Sequence, residues 1–372
     1  MKVLITGADG FLGWHLRCRL RAMSEHDVVP VGRQNWSRLP ALVAESDAIV
    51  HLAGINRAPT GEELLEGNIQ LARELAGAMR AASKPYRLIY AGTTQIGNGT
   101  PYGIAKEISG GLLDDAVETN GGSFCEVRLP GVFGEHARPN YNTFVATFGE
   151  AVLEGREDWL TVQDSVVELL HAQDAAATIE AALTSTEKLI RPSGHSVSVQ
   201  DVLKLLGAFH TLYINGEIPD LRSPFELSLF NTYRSINIRE RYPIFPKVNA
   251  DARGELSEIL RAHGRAGQTF ISSTRPGQTR GEHYHLRKIE RFAVVHGSAR
   301  ISMRRLLTNE TIEFDVDADT QALVDMPTLW VHNIKNTGSA DLLTVFWTDQ
   351  LYDPSAPDTY YEMVRSPGGV SS

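Results

Sequence analysis

The chain has 372 residues, enough for two or three domains, and its 42% apolar and 22% charged residues are ordinary globular usage. The formal net charge of −9 is spread without a basic stripe, which argues against a nucleic-acid-binding surface. Two cysteines without paired spacing, Cys18 and Cys125, exclude a disulfide framework and read as buried free thiols of a reducing compartment.

Residues 2–6 (KVLIT) form the short apolar run expected of a buried parallel strand. That run is too short for a signal segment. No later stretch approaches the ~20 apolar residues of a membrane span, so a cytoplasmic location is expected. A glycine loop, Gly7-Ala-Asp-Gly10-Phe-Leu-Gly13, follows the strand and opens a helical pattern marked by Leu12, Leu16 and Leu20. In that context glycines let the backbone approach a pyrophosphate, whose charge sits at the helix N-terminus. Gly7, Gly10, Phe11, Leu12 and Gly13 are therefore candidate dinucleotide contacts.

Val28–Val31 reads as the second strand, and Arg33 follows it. An acidic residue there would bind the ribose 2′-hydroxyl of NAD; an arginine suits a 2′-phosphate and points to NADPH. Ala48–Leu52 reads as a strand, Leu64–Ala82 as a helix and Leu88–Tyr90 as a strand. This alternation predicts an α/β domain with a parallel, doubly wound sheet.

Tyr102-Gly-Ile-Ala-Lys106 places a phenol and an ammonium on one helical face. A free phenol, with a pKa of about 10, is a poor proton-transfer group near neutrality. An adjacent ammonium and a cationic nicotinamide favour its ionised form, and the phenol then protonates the alkoxide formed when hydride reaches a ketone. Lys106 also suits the nicotinamide ribose. Thr94, after the strand LIYAGTTQ, is a candidate partner for the same substrate oxygen.

The pattern changes after about residue 245. From Gly267 to Leu351, short alternating runs (TFISST, RFAVVHGSARISMR, TIEFDV, QALVDM, LLTVFWT) separated by turn residues predict an all-β barrel or sandwich. The expected boundary lies near Pro243–Asp251, giving a dinucleotide-binding domain over 1–245 and an all-β domain over 246–365. Residues 366–372 (SPGGVSS) read as a disordered tail.

The β region carries Gly277-(x5)-His283-Tyr-His285-(x4)-Glu290-(x6)-Gly297, then Pro327-Thr-Leu329-(x2)-His332-(x3)-Asn336. Alternation along a strand aims His283 and His285 to the same side. Glu290 and His332 close the set from neighbouring strands. Three imidazoles and a carboxylate suit Zn²⁺, Ni²⁺, Fe²⁺ or Mn²⁺, and one divalent metal, zinc, is expected. Both segments are similar to the two cupin motifs, with one departure. Leu329 stands where a glycine is usual, and glycine there supplies a turn conformation, so the departure bears on where His332 is placed.

The glycine loop, Tyr102 with Lys106, His51-Leu-Ala-Gly54 and Arg128-Leu-Pro-Gly-Val-Phe-Gly134 resemble the extended short-chain dehydrogenase/reductase (SDR) family. That resemblance implies a cofactor groove lined by Leu52, Ala53 and Gly54, and a nucleotide-sugar region that begins at Arg128. The whole chain, from the first strand to about Asp358-Thr-Tyr360, resembles the bifunctional SDR–cupin enzymes of capsular polysaccharide synthesis, the UDP-2-acetamido-2,6-β-L-arabino-hexul-4-ose reductases. The segments carrying this include HLAGINR (51–57), RPNYNTFVATF (138–148), DARGELSE (251–258), TRGEHYHLRKIERF (279–292) and VHNIKN (331–336).

The resemblance implies that the cupin domain inverts C3 of a UDP-linked 4-keto-6-deoxy amino sugar. The SDR domain then reduces the C4 ketone with NADPH to UDP-2-acetamido-2,6-dideoxy-L-talose, on the route to UDP-N-acetyl-L-fucosamine. The C3 hydrogen lies α to the ketone, so its removal gives an enolate that a metal or hydrogen-bond donor stabilises. Lys288, Tyr284 and His296 are the candidate bases, Lys288 first. A homodimer is expected. Two alternatives stay open: a dTDP-4-keto-6-deoxyhexose epimerase/4-ketoreductase, and a non-catalytic NADPH/sugar sensor. Retention of Tyr102 and Lys106 weighs against the sensor.

Overall fold

A computed structural model of the chain describes residues 1–141, 143–162, 165–264 and 266–365. The tail expected over 366–372 lies outside them. The described residues form two compact units: residues 1–133 with 165–198, and residues from 134–162 with those from 199–365.

The first unit is built on a parallel sheet. Its strands β1 (Lys2–Thr6), β2 (Asp27–Val31), β3 (Ala48–His51), β4 (Arg87–Thr93), β5 (Ser123–Leu129) and β8 (Leu189–Ile190) are ordered β2-β1-β3-β4-β5-β8. Every neighbouring pair in that sheet is parallel. A smaller sheet holds β6 (Gly131–Phe133), β7 (Val166–His171) and β9 (His195–Ser198). Helices cover both faces of the main sheet, as its apolar strands require. On one face Leu16 and Leu20 of α1 (Phe11–Met23) and Ile179 of α6 (Ala172–Ala182) pack on Val3, Ile5 and Val127. On the other, α2 (Leu39–Ala44), α3 (Gly61–Ala82) and α4 (Pro101–Thr119) bring Val43, Leu75, Met79 and Leu113 onto Leu4, Ile49 and Leu88. Cys18 and Cys125 are buried free thiols.

Strand order reverses between β1 and β3. In doubly wound sheets a ligand crevice opens at such a reversal, beyond the carboxyl ends of the strands. The glycine loop leaves β1 there, and the 52–54 loop leaves β3.

In the second unit α5 (Phe144–Leu153), α7 (Val199–Tyr213) and α8 (Pro224–Arg234) accompany a β-rich region that starts at β11 (Val248–Asp251), paired with β12 (Gly254–Ser257). A short strand β10 (Glu217–Ile218) pairs with β13 (Arg261–Ala262). Nine strands then make two sheets. One is ordered β14 (Gln268–Thr274), β21 (Leu342–Thr348), β16 (Glu290–His296), β19 (Leu323–Met326). The other is ordered β18 (Thr311–Asp317), β17 (Ser298–Arg305), β20 (Trp330–Asn336), β15 (Thr279–Tyr284), β22 (Tyr360–Tyr361). The short alternating runs expected from the sequence all supply strands of these sheets, RFAVVHGSARISMR supplying two.

The helical and β-rich parts of this unit are joined by a buried polar network. Arg291 of β16 pairs with Asp325 of β19 through two nitrogens, at 2.5 and 2.8 Å. Tyr213 of α7 donates to Asp325 at 2.7 Å and lies 2.6 Å from the Tyr242 hydroxyl. Arg291 also donates to the carbonyl of Gly216. Such a pair is tolerated in the interior because every charge finds partners. Among the described residues no helix is long and apolar enough to cross a membrane.

Candidate functional site

The crevice of the first unit is shaped by close backbone approach. Gly7 sits at φ 67°, and a Cβ there would collide with the backbone of Leu52 and Ala53. Gly10 caps α1, and Gly13 packs on the Gly7 carbonyl too closely for any side chain. The loop 52–54 is held from α3: Ile55 N–H donates to Asn68 Oδ1 at 3.0 Å, and Asn68 Nδ2 donates back to the Ile55 carbonyl at 2.8 Å. Asn68 escapes sequence reasoning, since a lone asparagine inside a helical pattern carries no signal.

Helix α4 starts cleanly because Thr100 accepts from Gly103 N–H and Pro101 occupies the first turn. It therefore presents Tyr102 and Lys106 on one face, with Lys106 Nζ 5.9 Å from the centre of the Tyr102 ring. Lys106 Nζ donates to the Ala91 carbonyl at 2.9 Å and lies beside Gly54. Burial pushes the Lys106 ammonium down to about 8, partly offset by Glu126. Burial also raises the Tyr102 phenol above its ordinary value, so desolvation outweighs the nearby ammonium. Behind them His51, fully buried and held by Thr6 Oγ1 at 2.7 Å, is kept neutral, its pKa depressed to about 3 by burial and by Lys106. Thr94 is exposed just past β4, its N–H donating to the Leu129 carbonyl. Arg33 is exposed at the start of the turn after β2.

The second centre lies between the two sheets of the β-rich region. His283, His285, Glu290 and His332 present one ligand atom each, all within 4.8 Å of one another. Glu290 Oε2 is 3.1 Å from His285 Nε2, 3.2 Å from His332 Nε2 and 3.6 Å from His283 Nε2. Ligands each about 2.0–2.2 Å from one ion stand at spacings of this order. A bulge in β15 between Gly281 and His283 re-aims His283 inward.

The donor chemistry fits a cation. His285 Nδ1 is 2.6 Å from the Asp358 carbonyl, and His332 Nδ1 is 3.1 Å from the Trp330 carbonyl. A carbonyl only accepts, so Nδ1 carries the proton in both rings and each Nε2 offers a lone pair. Burial holds His332 down to about 4, so it is neutral at neutral pH. Imidazole lone pairs and the Glu290 carboxylate thus converge on one point.

Leu329 adopts φ 65°, the left-handed conformation that glycine usually supplies. Its N–H donates to the His285 carbonyl at 2.8 Å and its side chain is fully buried. Packing thus offsets a backbone cost of roughly 1–2 kcal/mol, and His332 reaches the cluster despite the substitution.

Lys288 lines the same cavity of about 140 Å³, with Phe270 and Phe346. Its Nζ donates to the Pro357 carbonyl at 3.0 Å and to Thr359 Oγ1 at 2.8 Å. Tyr284 points to the opposite face of β15, packing on Tyr360, and His296 is exposed at the far end of β16. Neither lines the cavity. Asp358, which spacing could not reveal, organises this region. Its carboxylate accepts from the N–H groups of Leu286, Arg287 and Lys288 while its carbonyl orients His285.

Comparison with known proteins covers both centres. Residues 3–195 match the NAD dependent epimerase/dehydratase family, and residues 249–360 match the polysaccharide biosynthesis C-terminal domain. A UDP-2-acetamido-2,6-beta-L-arabino-hexul-4-ose reductase of Pseudomonas aeruginosa is 31% identical over 365 residues, 97% of this chain and 98% of that protein. A crystal structure of the capsular polysaccharide assembling protein CapF from Staphylococcus aureus is similar with a TM-score of 0.61 and 30% identity, over 98% of this chain and 100% of that one. A UDP-glucose 4-epimerase from Thermotoga maritima, 18% identical with a TM-score of 0.51 over 57% of this chain and 83% of that one, shares the fold.

Proposed function

The chain belongs to the family of UDP-2-acetamido-2,6-beta-L-arabino-hexul-4-ose reductases, and from that premise we propose that it is a bifunctional nucleotide-sugar enzyme. Its SDR domain reduces the C4 ketone of a UDP-linked 2-acetamido-2,6-dideoxy-hexos-4-ulose, and its β-rich domain, a cupin, epimerises C3 first. The product is UDP-2-acetamido-2,6-dideoxy-L-talose, a precursor of UDP-N-acetyl-L-fucosamine for surface polysaccharide. One observation carries this reading: the reductase relative is co-extensive with the chain, spanning both centres.

Bound in the crevice, a reduced nicotinamide dinucleotide supplies hydride. Tyr102 gives its phenolic proton to the C4 oxygen, and burial keeps that proton in place until charge develops. Lys106, anchored on the Ala91 carbonyl beside Gly54, holds the nicotinamide ribose. Thr94 donates to the same C4 oxygen. In the second centre His283, His285, Glu290 and His332 would hold one divalent cation, zinc by donor type, which supplies Lewis-acid stabilisation of an oxyanion. Lys288 takes the C3 proton, and solvent returns a proton to the opposite face.

The direct test is NMR of the product made from a UDP-4-keto-6-deoxy-HexNAc and NADPH. L-talo configuration is expected; retention of the starting C3 configuration would remove the epimerase assignment. Parallel assays with a dTDP-linked 4-ketosugar separate the alternative nucleotide.

Two narrower outcomes follow. Arg33→Asp should raise the apparent KM for NADPH far more than that for NADH, because the guanidinium suits a 2′-phosphate; equal effects on both would remove Arg33 from cofactor choice. Asp358→Ala removes three backbone hydrogen bonds beside His285 and places alanine at φ 42°. Disturbing the group that orients a ligating imidazole should weaken metal affinity about 10–100-fold in chelator competition. Unchanged affinity would show that the Asp358 carbonyl holds His285 without help from the carboxylate.

A further inference from the structure

The structure puts a carboxylate where the sequence shows none. In doubly wound dinucleotide sites the residue ending the second strand reads the adenosine ribose, and an acid there binds its hydroxyls. Here the first residue past that strand, one before Arg33, is Gly32, in extended backbone at φ −116° that any residue adopts. Its N–H donates to Asn35 Oδ1 at 2.8 Å, and Asn35 Nδ2 donates to the Pro30 carbonyl at 3.0 Å, which pins the turn. A Cβ built on Gly32 would fall on the Asp9 carboxylate. Asp9 belongs to the glycine loop, so the loop fills the side-chain space that the strand leaves open. Its carboxylate stays largely exposed, with Arg17 of α1 at 3.3 Å.

We propose that Asp9 is a specificity-determining residue of the dinucleotide site. From the glycine loop it supplies the acid missing at 32, accepting from the ribose hydroxyls and opposing the 2′-phosphate that Arg33 attracts. The chain accordingly accepts NADH alongside NADPH. This rests on the coenzyme site assigned above.

The test is equilibrium binding of NADH and NADPH to the full chain, followed by coenzyme fluorescence without sugar substrate. Asp9→Asn keeps shape and removes charge, so it should raise the NADPH-to-NADH affinity ratio about fivefold at low salt, the scale of a like-charge contact in water. The gain should shrink as salt screens it. Asp9→Ala/Gly32→Asp, which moves the carboxylate to the strand end, should return the ratio toward wild type. A ratio within twofold of wild type for Asp9→Asn overturns the proposal while leaving the coenzyme site intact. A wild-type chain that binds neither coenzyme overturns the site and the proposal together.

Discussion

Tyr102→Phe should lower the rate of NADPH oxidation by about 10²–10⁴-fold, the usual contribution of one general acid, while solvent deuterium still enters C3 of the 4-keto sugar. The substitution removes one oxygen from a side chain whose ring is already packed beside Lys106, so the fold should be indifferent to it. Hydride transfer to a ketone leaves an alkoxide, and Tyr102 is the phenol proposed to protonate it. Wild-type reduction should also fall as pH rises through about 8. Burial depresses Lys106 from its ordinary value to about 8, so its ammonium is present below that pH and lost above it. Equal loss of reduction and exchange in Tyr102→Phe would mean that both steps share one catalytic centre.

The converse change is His283→Ala with His285→Ala. Two of four converging donors vanish, leaving Glu290 and His332. Metal content, near one per chain in the wild type, should fall to background by elemental analysis, and deuterium exchange at C3 should drop by at least about 10²-fold, as expected when a Lewis acid is lost. Reduction of an already epimerised 4-ketone should continue at close to the wild-type rate. Full exchange in a metal-free wild type would remove the cation from the chemistry. The paired variants should leave circular dichroism unchanged.

Much of this arrangement is legible in the sequence because its parts are local. The glycine loop, the i, i+4 pair on α4 and the i, i+2 histidines at the end of β15 each depend on spacings of a few residues. What stays hidden depends on chain segments that meet only after folding. Asp358 reaches His285 across 73 positions, so no motif length could contain both. Strand β5 hides for another reason: Glu126 and Arg128 pair with each other on one face while Cys125, Val127 and Leu129 are buried on the other. Those charges break the continuous apolar run by which central parallel strands are recognised. Leu329 shows the reverse case, in which residue type points away from a backbone conformation that packing nonetheless imposes.

The buried network around Asp325 sets the limits of a transplantable module. Glu290 and Arg291 are consecutive on β16, one facing the histidines and the other the Tyr213 side. A graft beginning at the first β-rich strand would carry Arg291 and Asp325 but leave behind Tyr213 and the Gly216 carbonyl. Each buried polar group stripped of its partner costs about 1–3 kcal/mol, and the loss would fall one residue from a ligand-type carboxylate. Swapping this region between relatives, by recombination or by hand, therefore works as a whole only when residues 199–245 travel with it.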